Sequence, residues 1–212
     1  SPQEMALINV PSVFCTYTNT FGTLDAGSFS SVAIDDKQAA MDAVNTLVSL
    51  GHRRIAILTD NQDDKSISEL RFQGYKDALA AHGIPFDPNL VACTGTFSDM
   101  HAIYEATSRL IERDHTFTAI FAIADVIAIA AINALSDHGR RVPDDCSVVA
   151  IDGLEISEYM LPTLTTLVQP AEEMGLTCAQ TIIERIEHPG KNRQYTFETR
   201  LRPGGSVREL IG

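Results

Sequence analysis

The stretch that decides the fold is Thr118–Asp152, TAIFAIADVIAIAAINALSDHGRRVPDDCSVVAID. It opens on a short apolar run, Ala119–Ile123 (AIFAI), passes through a segment of helical period, Val126–His138, and closes on a second apolar run, Ser147–Ile151 (SVVAI). Neither run alternates between apolar and polar, which is the pattern of a strand covered on both faces. Strand, helix and strand in that order form a βαβ unit, and such a unit makes its two strands parallel. Gly139 sits just past the helix end and Pro143 lies in the turn that follows, where helix stops and turns favour them.

Outward from this unit the pattern repeats. Arg54–Thr59 (RIAILT) precedes a helical segment at Leu70–His82, and Leu90–Cys93 precedes another at Asp99–Arg113. Upstream, Asp36 is placed to cap a helix over Lys37–Leu50, in which Ala40, Ala43, Val44, Leu47 and Val48 form one apolar stripe and Gly51 ends the run. Gly83 marks a similar stop, and Ser98 is placed to cap the helix opening at Asp99. The spacing therefore predicts an α/β fold, a parallel sheet with helices on both sides.

The two ends of the chain do not fit this series. Val10–Thr16 and Ser31–Ile34 read as strands joined by a polar loop, Tyr17–Ser30, with no helix between them. Near the other end a helix over Glu172–His188 carries Met174, Cys178, Ile182, Ile183 and Ile186 on one face, and a last strand follows at Tyr195–Leu201. These pieces predict a second lobe built from both ends of the chain.

Composition narrows the function classes. The 212 residues are 44% hydrophobic and 21% charged, and no apolar run approaches the ~20 residues needed to cross a bilayer. Sixteen Lys and Arg against 28 Asp and Glu give a net charge of −12, which repels phosphate backbones at long range. The four cysteines, Cys15, Cys93, Cys146 and Cys178, lie far apart with no CxxC or Cys/His pairing. They read as reduced, mostly buried thiols of a cytoplasmic protein, with no metal site and no disulfide scaffold. No secretory signal opens the sequence, although a mature exported protein would look the same.

In open parallel sheets ligands bind beyond the carboxyl ends of the strands. Asp60, Phe97, Asp125 and Asp152 each follow a predicted strand, and Arg71 lies early in the helix after the Asp60–Ser68 loop. A forked guanidinium, acceptor carboxylates and an aromatic face suit a polyhydroxylated ligand. Each also has a plain structural reading. Asp125 reads as a helix N-cap, Asp60 as a solvated loop residue and Arg71 as a surface residue. Asp152 before Gly153 suits a turn, and Phe97 suits the core. No GxSxG, P-loop, HExxH or GxGxxG is present. Of the six histidines, His52 and His138 read as helix-end cations complementing the dipole, and His82, His101, His115 and His188 as exposed.

Particular strings go further. SVAIDD with LGHRRIAIL (Leu50–Leu58), LRFQGYKDALAAHGIPFDPNLV (Leu70–Val91), the AIFAIADVIAIAAINAL segment, RVPDDCSVVAIDG (Arg141–Gly153) and PTLTTLVQPAEEMG (Pro162–Gly175) resemble, in order, the effector domain of the LacI/GalR family of bacterial transcription regulators. The resemblance covers nearly the whole chain. It implies a type I periplasmic-binding-protein-like fold: two Rossmann-like lobes with parallel sheets flanked by helices, and a small ligand in the interlobe cleft. Residues 1–34 and 166–194 would form a partial N-terminal lobe, and 35–165 with 195–212 the C-terminal lobe. The family's DNA-binding headpiece and the first elements of its N-terminal lobe have no counterpart here. The resemblance implies an N-terminally truncated sensor.

The same resemblance implies ligand contacts at Arg71, Asp152 and Phe97, with Lys65, Ser66, Gln169 and Thr16 as further candidates. Two departures stand out. Ala124-Asp125 replaces the family's frequent Asn-Asp, and Thr16 stands where an aspartate often ends the strand. The function implied is that of a cytoplasmic, homodimeric regulator, a repressor rather than an enzyme. It needs no cofactor and no membrane partner. Its effector would be a carbohydrate, with a nucleoside as the alternative, and it would reach operator DNA only through the headpiece. A periplasmic sugar-binding protein of an ABC transporter shares the fold and is the alternative function.

Overall fold

The computed structural model describes residues 10–16, 29–60, 67–95 and 99–210. In chain order the elements are β1 (Val13–Cys15), β2 (Ser30–Ile34), α1 (Asp36–Ser49), β3 (Ile55–Thr59), α2 (Ile67–Ala81), β4 (Val91–Cys93) and α3 (Met100–Arg113). They continue with β5 (Ala119–Ala122), α4 (Asp125–Asp137), β6 (Ser147–Asp152), β7 (Thr165–Val168), α5 (Ala171–Glu187), β8 (Gln194–Phe197) and β9 (Arg200–Arg202). The chain forms two compact units. Unit 1 comprises 1–35 and 169–199, and unit 2 comprises 36–168 and 200–212.

Unit 2 holds a six-stranded sheet in the order β4-β3-β5-β6-β7-β9, parallel except where β9 runs against β7. Every residue of β3 and β5, and of β6 up to Ile151, is buried. Successive side chains of a strand point to opposite faces, so both faces of the sheet are covered. The helices pack as two pairs, α1 with α2 and α3 with α4, with α1 lying over β6 and β7 and α4 over β5 and β6. The fold class inferred from the apolar runs is the one the structure has.

Unit 1 contains a parallel three-stranded sheet, β1-β2-β8, on which α5 packs through β1 and β2. Met174 and Thr181 are the buried positions of α5, while Ile183 and Ile186, expected on its packed face, are exposed. The last strand predicted at Tyr195–Leu201 is two short strands in different sheets. β8 pairs with β2, whereas β9 pairs with β7. The compact units divide at 35/36, 168/169 and 199/200, and the β6–β7 ladder extends to Val168.

Local signals hold with two amendments. Gly51, Gly83 and Gly139 have positive φ after the helices they end. The cap of α3 is Asp99, whose carboxylate accepts from Ala102 N at 2.9 Å, one residue after the Ser98 expected for that role, which lies outside the described residues. The second amendment concerns His52. Its ring is buried at the amino end of the sheet. Nε2 lies 3.2 Å from the Arg208 carbonyl and 3.0 Å from Ser147 Oγ, and Nδ1 lies 2.9 Å from Thr118 Oγ1. A carbonyl can only accept, so Nε2 carries a proton, and burial favours the neutral ring, in which Nδ1 accepts from the Thr118 hydroxyl. His52 is a neutral crosslink between the starts of β5 and β6 and the C-terminal segment, not a helix-end cation.

Burial holds the His52 pKa below its ordinary 6.5. The unfolded chain then takes up a proton in a range where the folded chain does not. Its contribution is fully present above about 6.5 and lost as pH falls below it. We expect the urea midpoint to decline between pH 7.5 and 5.5, and His52→Gln, which cannot titrate, to flatten that decline. A wild-type midpoint independent of pH over this range would contradict the assignment.

Candidate functional site

The carboxyl end of unit 2's sheet carries a cluster of buried charged side chains. Arg71 lies in the second turn of α2 and is only 4% exposed. A buried guanidinium needs acceptors for its donors. Nε donates to Asp36 Oδ1 at 2.8 Å, and Nη1 donates to the Ile123 carbonyl just beyond β5 and to Asp152 Oδ1 at 3.3 Å. One side chain thus ties together the start of α1 and the carboxyl ends of β5 and β6.

Helix spacing explains how Arg71 meets Asp36. Gly74, three residues on, lies on the same face of α2. A Cβ built at Gly74 would fall 2.2 Å from the Lys37 carbonyl and 2.8 Å from Ala40 Cβ. Only glycine lets α1 approach this closely, and that approach delivers Asp36 to the guanidinium.

Asp152 closes the arrangement under strain. It ends β6 with φ 133°, followed by Gly153 at φ 76°. A Cβ at Gly153 would lie 2.7 Å from the Val168 Cα, so this position excludes any larger residue. Positive φ at an aspartate costs of order 1–3 kcal/mol and persists only where the surroundings impose it. Among the described residues the non-glycine positions with positive φ are Asp152 and Thr16 (φ 61°). Both stand at strand carboxyl ends and both belong to the set expected to contact ligand. The Asp152 side chain keeps 22% of its surface exposed, unlike Asp36 at 2%. Of the two carboxylates paired with Arg71 it is the more exposed.

Asp125 has a role the sequence did not reveal. The N-cap of α4 is Ala124, without a side-chain cap. Asp125 is instead fully buried, accepting from Leu154 N at 2.7 Å and from the Thr166 hydroxyl at 2.6 Å. Burial raises its pKa, opposed by these hydrogen bonds. The carboxylate therefore locks the chain leaving β6 against β7 and holds Asp152 in its turn.

Of the remaining expected contacts, Phe97, Lys65 and Ser66 lie outside the described residues. Thr16 and Gln169 belong to unit 1. Thr16 N donates to the Val32 carbonyl at 2.8 Å, and the Gln169 carbonyl accepts from Ala171 N at 2.8 Å. Asp36 was missed because an aspartate opening a helix reads as a cap. At the opposite, amino end of the strands a hollow of about 530 Å³ is lined by Arg53, Arg54, His82, Phe86 and Asp87. Arg54 is engaged there with Asp114 at 2.5 Å and Asp87 at 3.4 Å, and Arg53 with two carbonyls of its own turn. Those cations serve the scaffold. Among the described residues no group of three His, Cys, Asp or Glu is arranged to hold a metal ion.

Residues 44–207 match the family described as periplasmic binding protein-like domain. The chain belongs to that family. Within it the similarity is to LacI-family regulators. The chain is 34% identical over 194 residues to the HTH-type transcriptional regulator MalR of Clostridium butyricum, a match covering 92% of this chain and 57% of that protein. It superposes with a TM-score of 0.82 at 27% identity on the transcriptional regulator CelR–cellobiose complex, covering 97% of this chain and 68% of that one. A LacI family transcriptional regulator from Enterococcus faecium with bound ribose gives a TM-score of 0.78 at 29% identity, covering 86% and 67%. The chain spans about half the length of the curated relatives it matches.

Removing one member of a buried ion pair strands the other. Arg71→Ala should therefore lower unfolding free energy by about 3–5 kcal/mol, measured by urea titration. Adding Asp36→Asn should recover much of that loss. Simple additivity of the two changes would show that Asp36 and Arg71 do not depend on each other.

Proposed function

We propose that this chain is the effector-sensing part of a bacterial transcriptional repressor, and that Arg71 and Asp152 are its principal effector contacts. The observation that carries this reading is the buried guanidinium, oriented by Asp36 and the Ile123 carbonyl and set beside a strained, partly exposed aspartate at the carboxyl end of a parallel sheet. Fixed donors beside a partly exposed acceptor match adjacent hydroxyls of a sugar. Two solved relatives hold cellobiose and ribose. A carbohydrate is the effector class we assign, with a nucleoside as the alternative. Phe97, Lys65, Ser66, Gln169 and Thr16 are proposed as further contacts on the family resemblance alone.

The chain carries a net charge of −12, which favours no contact with DNA. In the parent protein, operator binding would fall to a separate headpiece. A ligand shifts a conformational equilibrium only by binding one state better than another. The chain passes between its units at three places, and these passages would absorb the change. We assign the protein to the cytoplasm and to a non-catalytic role, consistent with relatives that are transcriptional regulators. The transporter-component alternative receives no specific support.

A homodimer is proposed on an apolar patch of unit 2. Ile156, Tyr159 and Leu161 are exposed on one short segment, Tyr159 by 75% and Leu161 by 94%. Large apolar side chains exposed close together in the chain are candidates for an interaction surface. Sedimentation equilibrium should give twice the monomer mass, and Leu161→Glu should return it to the monomer mass. A wild-type monomer would refute the patch as a dimer surface.

A thermal-shift panel of ribose, cellobiose, maltose and cytidine tests the effector class. A true ligand at 100 times its Kd should add about 2.7 kcal/mol. For the ligand so found, Asp152→Gly should weaken binding at least tenfold by calorimetry. It should also leave stability within about 1 kcal/mol or raise it, since relief of strain offsets a partly exposed ion pair. Unchanged affinity in that variant would remove Asp152 from the site.

A further inference from the structure

Two of the four cysteines meet in unit 1, outside the charged cluster of unit 2. Cys15 is the last residue of β1 and is exposed, whereas Cys178 lies on α5 and is half-buried. Their thiols are hydrogen-bonded to one another, although 162 residues separate them in the sequence, counting from 16 to 177. The contact rests on helix packing rather than on chance proximity of loops. α5 packs on β1 and β2, and Arg185 Nη1 donates to the Ser12 carbonyl at 2.7 Å, tying the same helix to the residue before β1. The other cysteines differ. Cys146 is fully buried, and Cys93 sits on β4 in unit 2.

We propose that Cys15 and Cys178 form a reversible thiol–disulfide modification site whose oxidising partner is a low-molecular-weight disulfide of the glutathione class. Burial and the neighbouring Cys15 push the Cys178 thiol up to about 11, so Cys15, the exposed member, is the attacking group. The Cys15 thiolate attacks one sulfur of the small disulfide, breaking its S–S bond and releasing one small thiolate. Cys178 then loses its proton to solvent and attacks Cys15 Sγ, forming the Cys15–Cys178 bond and expelling the second small thiol. Two protein thiols are oxidised, and one small disulfide is reduced to two thiols. The new bond fastens the end of β1 to α5, one residue before Thr16 with its positive φ. This site depends on neither the effector assignment nor Arg71.

The test is incubation of the 212-residue chain with oxidised glutathione, alkylation of the remaining thiols and peptide mass spectrometry without reduction. Wild type should yield a Cys15–Cys178 linked peptide, two hydrogens lighter than the separate peptides and cleaved by dithiothreitol. Cys178→Ser should stop at a glutathione adduct on Cys15, and Cys15→Ser should leave Cys178 free for alkylation. Cys93→Ser should link as wild type does. Wild type that ends as a glutathione adduct, links between two chains or pairs Cys15 with Cys93 would overturn the proposal.

Discussion

Unit 2 is organised around one constraint: a guanidinium cannot be buried without acceptors on all sides. Arg71 meets that requirement with a carboxylate from α1, a carbonyl from the end of β5 and a carboxylate from the end of β6. Each partner in turn needs something else. Asp36 arrives only because Gly74 allows α1 and α2 to touch, and Asp152 holds its turn because Asp125 anchors the next residues. The close approach of α1 and α2 and the placement of the strained aspartate both serve that one cation.

The two ends of the same sheet differ in where their buried ionisable groups sit and in backbone strain. At the amino end His52 is neutral, buried and fully bonded to Thr118, Ser147 and Arg208, and the C-terminal segment is latched there by Ser206 to Val148 and Thr165. No residue of that network has a positive φ. At the carboxyl end, two aspartates pair with one arginine, a third is buried against the turn that follows β6, and one of the pairing aspartates has an unfavourable φ. Strain of this kind is tolerated where a site must be held ready and is absent where only stability is at stake. The asymmetry is itself a reason to look for the effector at the carboxyl end.

Cysteine shows how far composition can mislead. Four separated thiols in an acidic chain read as inert packing, and for Cys146, whose thiol burial pushes up to about 12, that reading is right. Cys15 and Cys93 are exposed, and the free Cys15 thiol is hydrogen-bonded to that of Cys178 across a helix–sheet contact. Spacing along the chain carries no information about such a pair, because the packing that joins them is formed by opposite ends of the sequence.

What the sequence determined by itself is whatever local periodicity and chain chemistry control. The fully apolar runs at 119–123 and 147–151 required a sheet covered on both faces, and the glycines at 51, 83 and 139 ended their helices where the backbone turns to positive φ. Family strings marked Arg71 and Asp152, though spacing alone left Arg71 on the surface. The tertiary structure decided what depends on partners distant in the chain. It showed that Asp36 pairs with Arg71 from 35 residues away, that Asp125 bonds Leu154 and Thr166 instead of capping its helix, and that burial disfavours the charged form of His52. The physical reason is the same in each case. An ionisable side chain takes its charge and its role from the groups that surround it after folding, and those groups are not its neighbours in sequence.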